Sequence, residues 1–237
     1  PEPLPENITQ ICQEVVKQGC DVGFIVDPDV DRLAIVCENG KPFVEEYTLV
    51  SVADYVLSHT PGTTVSNMSS TKALRDVTEA RGQRYFASAV GEVNVVEKMK
   101  QENAVIGGEG NGGVIYPELH YGRDALVGIA LFLSLLAKSG KTCSALRASY
   151  PNYEISKNKM ELTPEMNVDL ILEKMAKKYA DCEVLTTDGV KIMFKDEWVH
   201  LRKSNTEPII RIYSESRDMA AANALATKIM NEIKQLL

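Results

Sequence analysis

Three aspartates, Asp27, Asp29 and Asp31, occupy alternate positions in the segment 27–32, whose sequence is D-P-D-V-D-R. An apolar run, Val22–Val26, precedes the segment and has the composition of a buried strand. Carboxylates this close repel one another in a partly desolvated site, and a hard divalent cation relieves that repulsion. Proline cannot donate to a sheet ladder, so the strand should end there and the carboxylates should gather round one point. We predict that this metal loop, residues 27–32, binds Mg²⁺.

Two other interpretations of the metal loop are open. The spacing of its aspartates, with Glu38 twelfth in the count, is similar to a calcium-binding EF-hand loop. Arg32 occupies the sixth position, however, where that loop needs glycine, and Leu33–Cys37 has the composition of a strand. A solvated acidic turn is the second alternative, because aspartate and proline are common turn residues. The apolar runs on both sides of the loop favour the cation site.

A second candidate site is the segment 107–113, whose sequence is G-G-E-G-N-G-G. Glycines let a ligand approach the backbone closely, and Glu109 and Asn111 are the side chains that the segment offers to it. A carboxylate and an amide suit sugar hydroxyls, so we call residues 107–113 the sugar loop. The glycine spacing differs from the dinucleotide-binding fingerprint. A purely structural glycine-rich turn is the alternative.

A third candidate site is the segment 202–208, R-K-S-N-T-E-P, which lies between two predicted strands. Its donors are Arg202, Ser204, Asn205 and Thr206, and Arg211 follows three residues beyond the segment. A guanidinium, hydroxyls, an amide and backbone N–H groups together suit a phosphate. We therefore call residues 202–208 the phosphate loop, with a polar hairpin turn as the alternative.

The elements around these loops predict the fold class. Apolar residues between Ile8 and Val16 follow helical spacing, Gly19 is a candidate terminator, and strands follow over Val22–Val26 and Leu33–Cys37. Helices are then predicted over 47–58, 71–81, 92–101 and about 123–138, alternating with strands over 63–67, 83–87 and 104–107. Such alternation is typical of an α/β domain with a mostly parallel sheet.

The remainder of the chain changes character. Strands are predicted over 150–160, 182–186, 190–194, 197–202 and 208–213, with helices over about 166–179 and from Met219 onward. Strands bracketed by helices indicate an α+β domain with an antiparallel sheet. We therefore predict three pieces: a remnant of a preceding α/β domain (1–44), a parallel-sheet α/β domain (45–147) and a C-terminal α+β domain (148–237).

Composition excludes several classes of protein. The chain has 237 residues, with 26 Lys and Arg against 33 Asp and Glu, for a net charge of −7. This charge argues against a general nucleic-acid or membrane-surface binder, and no run approaches the roughly 20 apolar residues of a membrane span. Five cysteines without C-x-x-C spacing indicate free thiols in the cytoplasm. We expect a small-molecule partner, with neither nucleic acid nor membrane as a partner.

The three loops, in this order, resemble those of the α-D-phosphohexomutase superfamily, and the resemblance covers essentially the whole chain. The family patterns are D-G-D-G/A-D-R, G-E-x-S-G and R-x-S-G-T-E-P. The matching positions are Asp27, Asp29, Asp31 and Arg32; Gly108, Glu109 and Gly112; and Arg202, Ser204, Thr206, Glu207 and Pro208. Asn111 and Asn205 stand where serine and glycine are usual. Segment 90–92, V-G-E, corresponds to a ring-contacting loop, so the resemblance implies that Glu92 also binds substrate.

The resemblance implies an activity and a set of cofactors. Family members move a phosphoryl group between the 1- and 6-hydroxyls of an aldohexose through a bisphosphorylated sugar. Mg²⁺ on the metal loop is the implied cofactor, hexose 1,6-bisphosphate the implied activator of the parent enzyme, and Arg32 the implied catalytic residue beside the metal. The sugar loop would hold ring hydroxyls, and the phosphate loop with Arg211 would hold the non-reacting phosphate. The segments G-G-E-G-N-G-G and S-N-T-E-P are most similar to those of phosphoglucosamine mutases and phosphomannomutases, and we expect a phosphoglucosamine mutase, with phosphomannomutase or phosphoglucomutase as the alternative.

The resemblance also implies a missing part. Family members have four domains and carry a phosphoserine in a T-A-S-H-N-P-like segment of the first domain, and a homodimer is left open as the oligomeric state of this protein. No such segment occurs in this sequence, which begins at Pro1, and we interpret Ser69 and Ser70 as a helix-capping cluster. We therefore expect a C-terminal fragment that has no mutase activity by itself. A non-catalytic sugar-phosphate-binding module is the alternative for the isolated chain.

The remaining distinctive side chains have simpler interpretations. We assign His59 and His200 to local packing or hydrogen bonds, leave a role of His120 near the sugar loop open, and place Trp198 in the core. A phosphosugar in one cleft would contact all three loops, so we predict that the loops open onto a common cleft.

Overall fold

The chain forms two units, Pro1–Pro151 and Asn152–Leu237, which we describe separately. The computed structural model describes residues 2–162, 167–204 and 207–236. The predicted phosphate ligands Asn205 and Thr206 therefore lie outside the described residues.

The first unit begins with the elements that carry the metal loop. A 3₁₀ turn, Pro5–Asn7, leads into helix α1, Thr9–Gln18, which ends at Gly19 in the left-handed conformation. Strands β1, Val22–Val26, and β2, Leu33–Cys37, have the bounds predicted from the apolar runs. The two strands pair antiparallel, and Val26 lies opposite Leu33. The metal loop is therefore the connection of a β-hairpin.

The rest of the first unit alternates helices and strands as predicted. Its elements are α2 (Glu46–Leu57), β3 (Thr64–Asn67), α3 (Ala73–Ala80), β4 (Tyr85–Ser88), α4 (Glu92–Glu102), β5 (Ile106–Glu109), β6 (Gly113–Ile115), α5 (Ala125–Ser139) and α6 (Cys143–Ala148). The sheet order is β4-β3-β5-β6, in which β4, β3 and β5 run parallel and β6 runs antiparallel to β5. The carboxyl ends of the three parallel strands, Asn67, Ser88 and Glu109, therefore share one edge of the sheet.

Two arrangements in the first unit have the same order of elements. The metal loop follows α1 and β1 and precedes β2 and α2, while part of the sugar loop follows α4 and β5 and precedes β6 and α5. Each loop thus joins an antiparallel strand pair between two helices. Aromatic contacts tie the two arrangements together, because Phe132 of α5 packs edge-to-face on Phe24 of β1 and on Phe43. The hydrophobic core therefore supports both loops.

The second unit is an antiparallel sheet with helices on one face. Its elements are β7 (Glu154–Glu161), α7 (Val168–Lys178), β8 (Glu183–Leu185), β9 (Val190–Met193), β10 (Trp198–Lys203), β11 (Ile209–Ser216) and α8 (Met219–Lys234). The strand order is β7-β11-β10-β9-β8, with every pair antiparallel. Alternate strand residues such as Val199, Leu201, Ile210 and Ile212 form one core with buried residues of α7 and α8. This is the α+β architecture predicted from the sequence.

The sequence analysis missed two elements of the first unit, β6 and α6. Strand β6 has three residues and begins with glycine, so neither period-two alternation nor β-branched enrichment identifies it. Helix α6 has six residues, too few for a helical repeat of apolar positions. Within the described residues, no helix combines the length and the apolar character that crossing a membrane requires.

Candidate active site

The carboxylate of Asp27, at the start of the metal loop, is hydrogen-bonded to backbone groups at the end of the loop. One carboxylate oxygen, Oδ1, accepts hydrogen bonds from the backbone N–H groups of Asp31, at 3.1 Å, and Arg32, at 3.0 Å. Burial disfavours the charged form of Asp27, but these hydrogen bonds outweigh it and lower the pKa of the carboxyl. Val30 adopts a left-handed φ of 58°, an unusual conformation for a β-branched residue. The backbone therefore turns sharply round the carboxylate of Asp27, whose charged form these hydrogen bonds favour.

The three aspartates of the metal loop meet as the sequence predicts. Asp27, Asp29 and Asp31 each offer a carboxylate oxygen, and these oxygens lie within 4.8 Å of one another. Oδ1 of Asp31 is buried and has no hydrogen-bond partner among the described residues. Burial also raises the pKa of Asp31, although the charge of Arg123 opposes the shift. A group of hard oxygen ligands with an unpartnered oxygen fits a divalent cation such as Mg²⁺.

The structure argues against both alternatives for the metal loop. An EF-hand loop lies between two helices, whereas antiparallel strands β1 and β2 flank this one. A solvated turn would expose its carboxylates, whereas Asp27 is 6% exposed. Asp29 is the exposed member of the three.

Arg32 lies beside two of these carboxylates. Its Nε atom is 3.7 Å from Oδ2 of Asp27 and 3.8 Å from Oδ1 of Asp31, and its Nη1 atom pairs with Glu2. The guanidinium thus borders the group of aspartates, where the sequence analysis places it.

Backbone contacts join the sugar loop to the metal loop. The N–H group of Leu33 donates to the carbonyl of Gly112 at 3.1 Å, and Arg32 forms an isolated antiparallel bridge with Gly113. Gly112 has a φ of 89°, and a Cβ atom on it would lie 2.4 Å from the carbonyl oxygen of Leu33. Glycine is therefore required where the two loops touch. The metal loop and the sugar loop lie side by side as a result.

Glu109, the carboxylate of the sugar loop, is buried and held by three donors. Oε1 accepts from the Nδ2 atom of Asn67 at 2.8 Å and from the N–H group of Gly91 at 3.3 Å. Oε2 accepts from Nη1 of Arg123 at 3.0 Å. An ionised carboxylate can accept about four hydrogen bonds, so roughly one position is left for a ligand. Oδ1 of Asn111 accepts from the N–H group of Gly113, which leaves the amide nitrogen of Asn111 as its donor toward a ligand.

Arg123 is one of the residues of this site that the sequence analysis missed. Its guanidinium contacts the carboxylates of Asp31, Glu92 and Glu109. Glu92, which begins helix α4, also accepts from the N–H group of Arg123 at 2.9 Å. The predicted substrate ligand Glu92 therefore forms part of an ionic network with the other two carboxylates. The sequence contains only a weak indication of this role, because the one relevant feature is that Arg123 directly precedes Asp124, the residue that caps helix α5.

Asn67 and Ser70 also support the sugar loop. Asn67 is the last residue of strand β3. Ligand sites are expected at the carboxyl ends of parallel strands, so the predicted strand already indicated that this position could be functional. The hydroxyl of Ser70 donates to Oδ1 of Asn67 and accepts from the N–H group of Gly110 at 2.9 Å. The interpretation of Ser69 and Ser70 as a helix-capping cluster is wrong, because helix α3 begins after Lys72 without a side-chain cap. Ser70 instead holds the backbone of the sugar loop.

In the second unit, the sheet register brings the basic residues of the phosphate loop together. Arg202 on β10 lies opposite Arg211 on β11, and Arg211 lies opposite Lys159 on β7. Like charges on directly paired positions destabilise a sheet unless an anion or acidic groups neutralise them. Asp188 lies 3.6 Å from Arg202 and Glu207 lies 3.3 Å from Arg211. The sequence analysis missed Lys159, which lies opposite Arg211 because β7 pairs with β11.

Ser204 begins the connection between these two strands. Its N–H group donates to the carbonyl of Ile209 at 3.0 Å, and its hydroxyl accepts from the N–H group of Glu207 at 3.3 Å. The polar hairpin turn and the phosphate loop are compatible interpretations, because the pairing of β10 with β11 places Arg202 and Arg211 opposite each other near the end of the strands that the connection joins. The predicted common cleft involves loops of both units and stays a prediction.

His59 and His200 form local hydrogen-bond contacts, as expected, whereas the role of His120 is left open by its position. His200 is buried, its Nε2 atom lies 2.6 Å from the carbonyl oxygen of Asp188, and burial lowers its pKa to about 4. His59 contacts the backbone of Tyr55, and His120 pairs with Asp124 at 3.0 Å. Trp198 is fully buried, as predicted.

Models of three phosphoglucomutase/phosphomannomutase domains match this chain. Alpha/beta/alpha domain II matches residues 1–40, alpha/beta/alpha domain III matches 45–153, and the C-terminal domain matches 159–232. These three ranges contain the metal, sugar and phosphate loops respectively.

Relatives extend the similarity over nearly the whole chain. A phosphoglucomutase/phosphomannomutase of Thermococcus kodakarensis is 36% identical over 238 residues, which are 98% of this chain and 52% of that protein. A probable phosphoglucosamine mutase of Methanopyrus kandleri is 30% identical over 239 residues, 99% of this chain and 52% of that protein. The chain thus spans about half the length of the curated relatives it matches.

Solved structures show the same fold. The crystal structure of a phosphoglucomutase/phosphomannomutase family protein from Burkholderia thailandensis superposes with a TM-score of 0.82 at 26% identity, covering 97% of this chain and 50% of that one. Domain matches, relatives and fold agree with the three loops, and the chain therefore belongs to the phosphoglucomutase/phosphomannomutase family of α-D-phosphohexomutases.

Proposed function

We propose that this chain is the metal-, sugar- and phosphate-binding part of a phosphohexomutase, which moves a phosphoryl group between O1 and O6 of an aldohexose phosphate. The observation that carries the proposal is the direct contact of two loops: the cation site and the sugar loop share backbone pairing at Leu33 and Gly112. A reacting phosphoryl group at the cation site would therefore lie within reach of side chains that bind the sugar to which it is transferred.

The metal loop would hold Mg²⁺ through Asp27, Asp29 and Asp31, whose carboxylate oxygens converge. A bound magnesium ion supplies positive charge that neutralises the oxygens of a phosphoryl group in transfer. Arg32, beside the same carboxylates, would add a fixed positive charge to that position. Because its pKa is far above neutral, arginine serves by electrostatics rather than by proton transfer.

The sugar loop would bind ring hydroxyls. Glu109 has roughly one acceptor position beyond its internal partners, and Asn111 adds an amide donor. Glu92 would contribute less directly, because its carboxylate is engaged by Arg123. A small number of polar contacts at fixed angles is sufficient to orient a sugar ring.

The phosphate loop would hold the phosphate that is not reacting. Arg202, Arg211 and Ser204 offer charged and neutral donors at one end of the second sheet, and Asn205 and Thr206 complete the proposed set. An anchored phosphate at one end of the sugar positions the hydroxyl at the other end for attack. The proposal requires the loops of the two units to meet on one substrate.

The phosphoryl donor would be a phosphoserine supplied by a part of the parent protein outside this sequence. In the first transfer, a sugar hydroxyl oxygen forms a bond to phosphorus while the bond from phosphorus to the serine oxygen breaks, and the hydroxyl proton passes to a base. The bisphosphorylated sugar then reorients and returns its other phosphoryl group to serine. Hexose 1,6-bisphosphate would therefore activate the parent enzyme by phosphorylating the serine.

We propose glucosamine phosphate as the preferred substrate, with mannose and glucose phosphates as alternatives. The loop sequences, with Asn111 and Asn205 where serine and glycine are usual, resemble those of both phosphoglucosamine mutases and phosphomannomutases. The names of the relatives include both a phosphoglucosamine mutase and a phosphoglucomutase/phosphomannomutase.

Calorimetric titration of the full chain with glucosamine 6-phosphate, glucose 6-phosphate and mannose 6-phosphate in the presence of Mg²⁺ tests the proposal. Arg202→Gln should weaken binding by about 10-fold or more, since a charge-assisted hydrogen bond contributes about 1.5–3 kcal/mol. Arg217→Gln is the matched control, because the side chain of Arg217 is exposed and forms an ion pair with its neighbour Asp218 at 3.7 Å.

Equal affinity of the wild-type and Arg202→Gln chains would contradict the phosphate site. A coupled assay with hexose 1,6-bisphosphate should detect no isomerisation by the chain alone. Turnover at a rate typical of an enzyme would contradict the external donor and would place the nucleophile within these residues.

A further inference from the structure

Arg123 connects three carboxylates that come from three different elements. Its Nη2 atom pairs with Oδ2 of Asp31 in the metal loop, and its Nη1 atom donates to Oε2 of Glu109 at 3.0 Å. Its Nε atom lies 3.4 Å from Oε2 of Glu92, at the start of helix α4, as an ion-pair contact without hydrogen-bond geometry. Each nitrogen of the guanidinium thus faces a different carboxylate.

The planar shape of the guanidinium makes this arrangement specific. Its nitrogens have fixed separations, so carboxylates bound to different nitrogens are held at fixed positions relative to one another. A lysine ammonium is a single point charge on a flexible stem and could not hold Asp31 and Glu109 in the same way. Arg123 is mostly buried, with a side chain that is 13% exposed, so these contacts are little screened by solvent.

Arg123 also determines which oxygen of Asp31 is presented to a cation. Oδ2 of Asp31 is engaged by Arg123, while the buried Oδ1 has no hydrogen-bond partner among the described residues. The backbone reinforces this arrangement, because the N–H group of Ala125, two residues after Arg123, donates to the carbonyl of Val30 at 3.0 Å. The segment that leads into helix α5, together with the first residue of the helix, therefore contacts the metal loop through both side chain and main chain.

We propose that Arg123 is a positioning residue that couples the cation site to the sugar loop. Glu109 fixes the guanidinium at one end, and the guanidinium orients Asp31 at the other, so a change at the sugar loop alters cation affinity. The inference rests on the proposed function, because it takes the metal loop to bind Mg²⁺.

A simple charge argument makes the opposite prediction. Arg123 is positively charged and contacts a proposed cation ligand, so by Coulomb's law alone its removal should tighten the binding of a divalent cation. If Arg123 acts by positioning, its removal should weaken cation binding, because residues that hydrogen-bond to metal ligands typically contribute about 10- to 100-fold to metal affinity. The sign of the change therefore separates the two explanations.

The experiment is a titration of the full chain with Mn²⁺, followed by electron paramagnetic resonance of the free ion. Arg123→Gln should lower Mn²⁺ affinity by about 10-fold or more. Arg123→Lys keeps the positive charge and serves as the second variant in case Arg123→Gln fails to fold. It should bind Mn²⁺ almost as weakly as Arg123→Gln. The control Arg75→Gln breaks a helical ion pair with Glu79 in the same unit and should leave affinity unchanged.

A double-mutant cycle tests the coupling itself. Glu109→Gln should weaken Mn²⁺ binding in the wild-type background and should have no further effect in the Arg123→Gln background. Tighter binding by Arg123→Gln, wild-type affinity in Arg123→Lys, or additive effects of the two substitutions would overturn the inference.

A second measurement needs no metal and separates this inference from the proposed function. Hydrogen exchange of peptides from the metal and sugar loops should accelerate in both loops in Arg123→Gln and Arg123→Lys, and in neither loop in Arg75→Gln. If the wild-type chain bound no Mn²⁺, the cation site of the proposed function would fail, and this exchange pattern would still decide whether Arg123 positions both loops. Unchanged exchange in either loop would overturn the inference.

Discussion

The contact between Gly112 and Leu33 makes a quantitative prediction for Gly112→Ala. A non-glycine residue in the left-handed region costs about 1–2 kcal/mol. The added Cβ would also lie 2.4 Å from the carbonyl oxygen of Leu33, so one backbone must move. The movement adds about 1–3 kcal/mol of overpacking and weakens the hydrogen bond from Leu33 to Gly112, which contributes about 1 kcal/mol. We expect a total loss of about 2–6 kcal/mol.

Gly82→Ala is the matched control. Gly82 has a φ of 69°, and no heavy atom lies within 4 Å of the position that its Cβ would take. This substitution therefore carries the conformational cost of about 1–2 kcal/mol without the steric cost. The difference between the free-energy losses of the two variants therefore measures the cost of the close approach between the sugar loop and Leu33, directly after the metal loop.

Native-state hydrogen exchange of peptides from β2 and β6 measures the free energy of opening in the first unit. The fluorescence of Trp198, the sole tryptophan of the chain, reports on the second unit and should be unchanged in both variants. Gly112→Ala should also lower Mn²⁺ affinity, because Leu33 follows the metal loop directly. Equal destabilisation by the two substitutions, within about 0.5 kcal/mol, would refute the reasoning.

Three further predictions concern local features. His200 has a folded pKa of about 4 against an ordinary value of 6.5, so the unfolded state binds more protons as pH falls below 6.5. Urea unfolding followed by Trp198 fluorescence should show a loss of about 2 kcal/mol between pH 7 and pH 5 that His200→Gln removes; a parallel loss in both proteins would contradict the assignment. Asp124→Ala removes the N-cap of helix α5, which accepts from two backbone N–H groups, and should lower the unfolding free energy by about 1 kcal/mol in chemical denaturation. Val30→Gly relieves a left-handed φ of 58° and should raise the melting temperature or leave it unchanged; a clear fall would show that the valine side chain stabilises the loop.

Local patterns were sufficient to predict most helices and strands. The strand bounds Val22–Val26 and Leu33–Cys37 follow from continuous apolar runs, and the aspartates of the metal loop converge because they lie within five residues of one another. The alternation of helices with strands predicted the parallel part of the first sheet. Each of these features depends on residues that are close in sequence, where periodicity and turn chemistry act.

Interactions between distant residues could not be predicted in this way. Arg123 is 92 residues from Asp31 and 31 from Glu92, and no spacing rule relates them. Lys159 meets Arg211 because β7 pairs with β11, which depends on the register of two strands separated by most of the second unit. Ser70 has the residue type of a helix cap, but its hydroxyl bonds to the sugar loop because β3 and β5 are neighbours.

The amino-acid sequence by itself determined which chemical groups the proposed cation, sugar and phosphate sites contain, because those groups cluster in short loops between regular elements. Tertiary structure alone decided how the groups are held. It set Gly112 against Leu33 and placed one guanidinium among three carboxylates, since chain folding brings together charges that are far apart in sequence and partly removes them from water. In that setting, the position of each carboxylate depends on its partners as well as on its own loop.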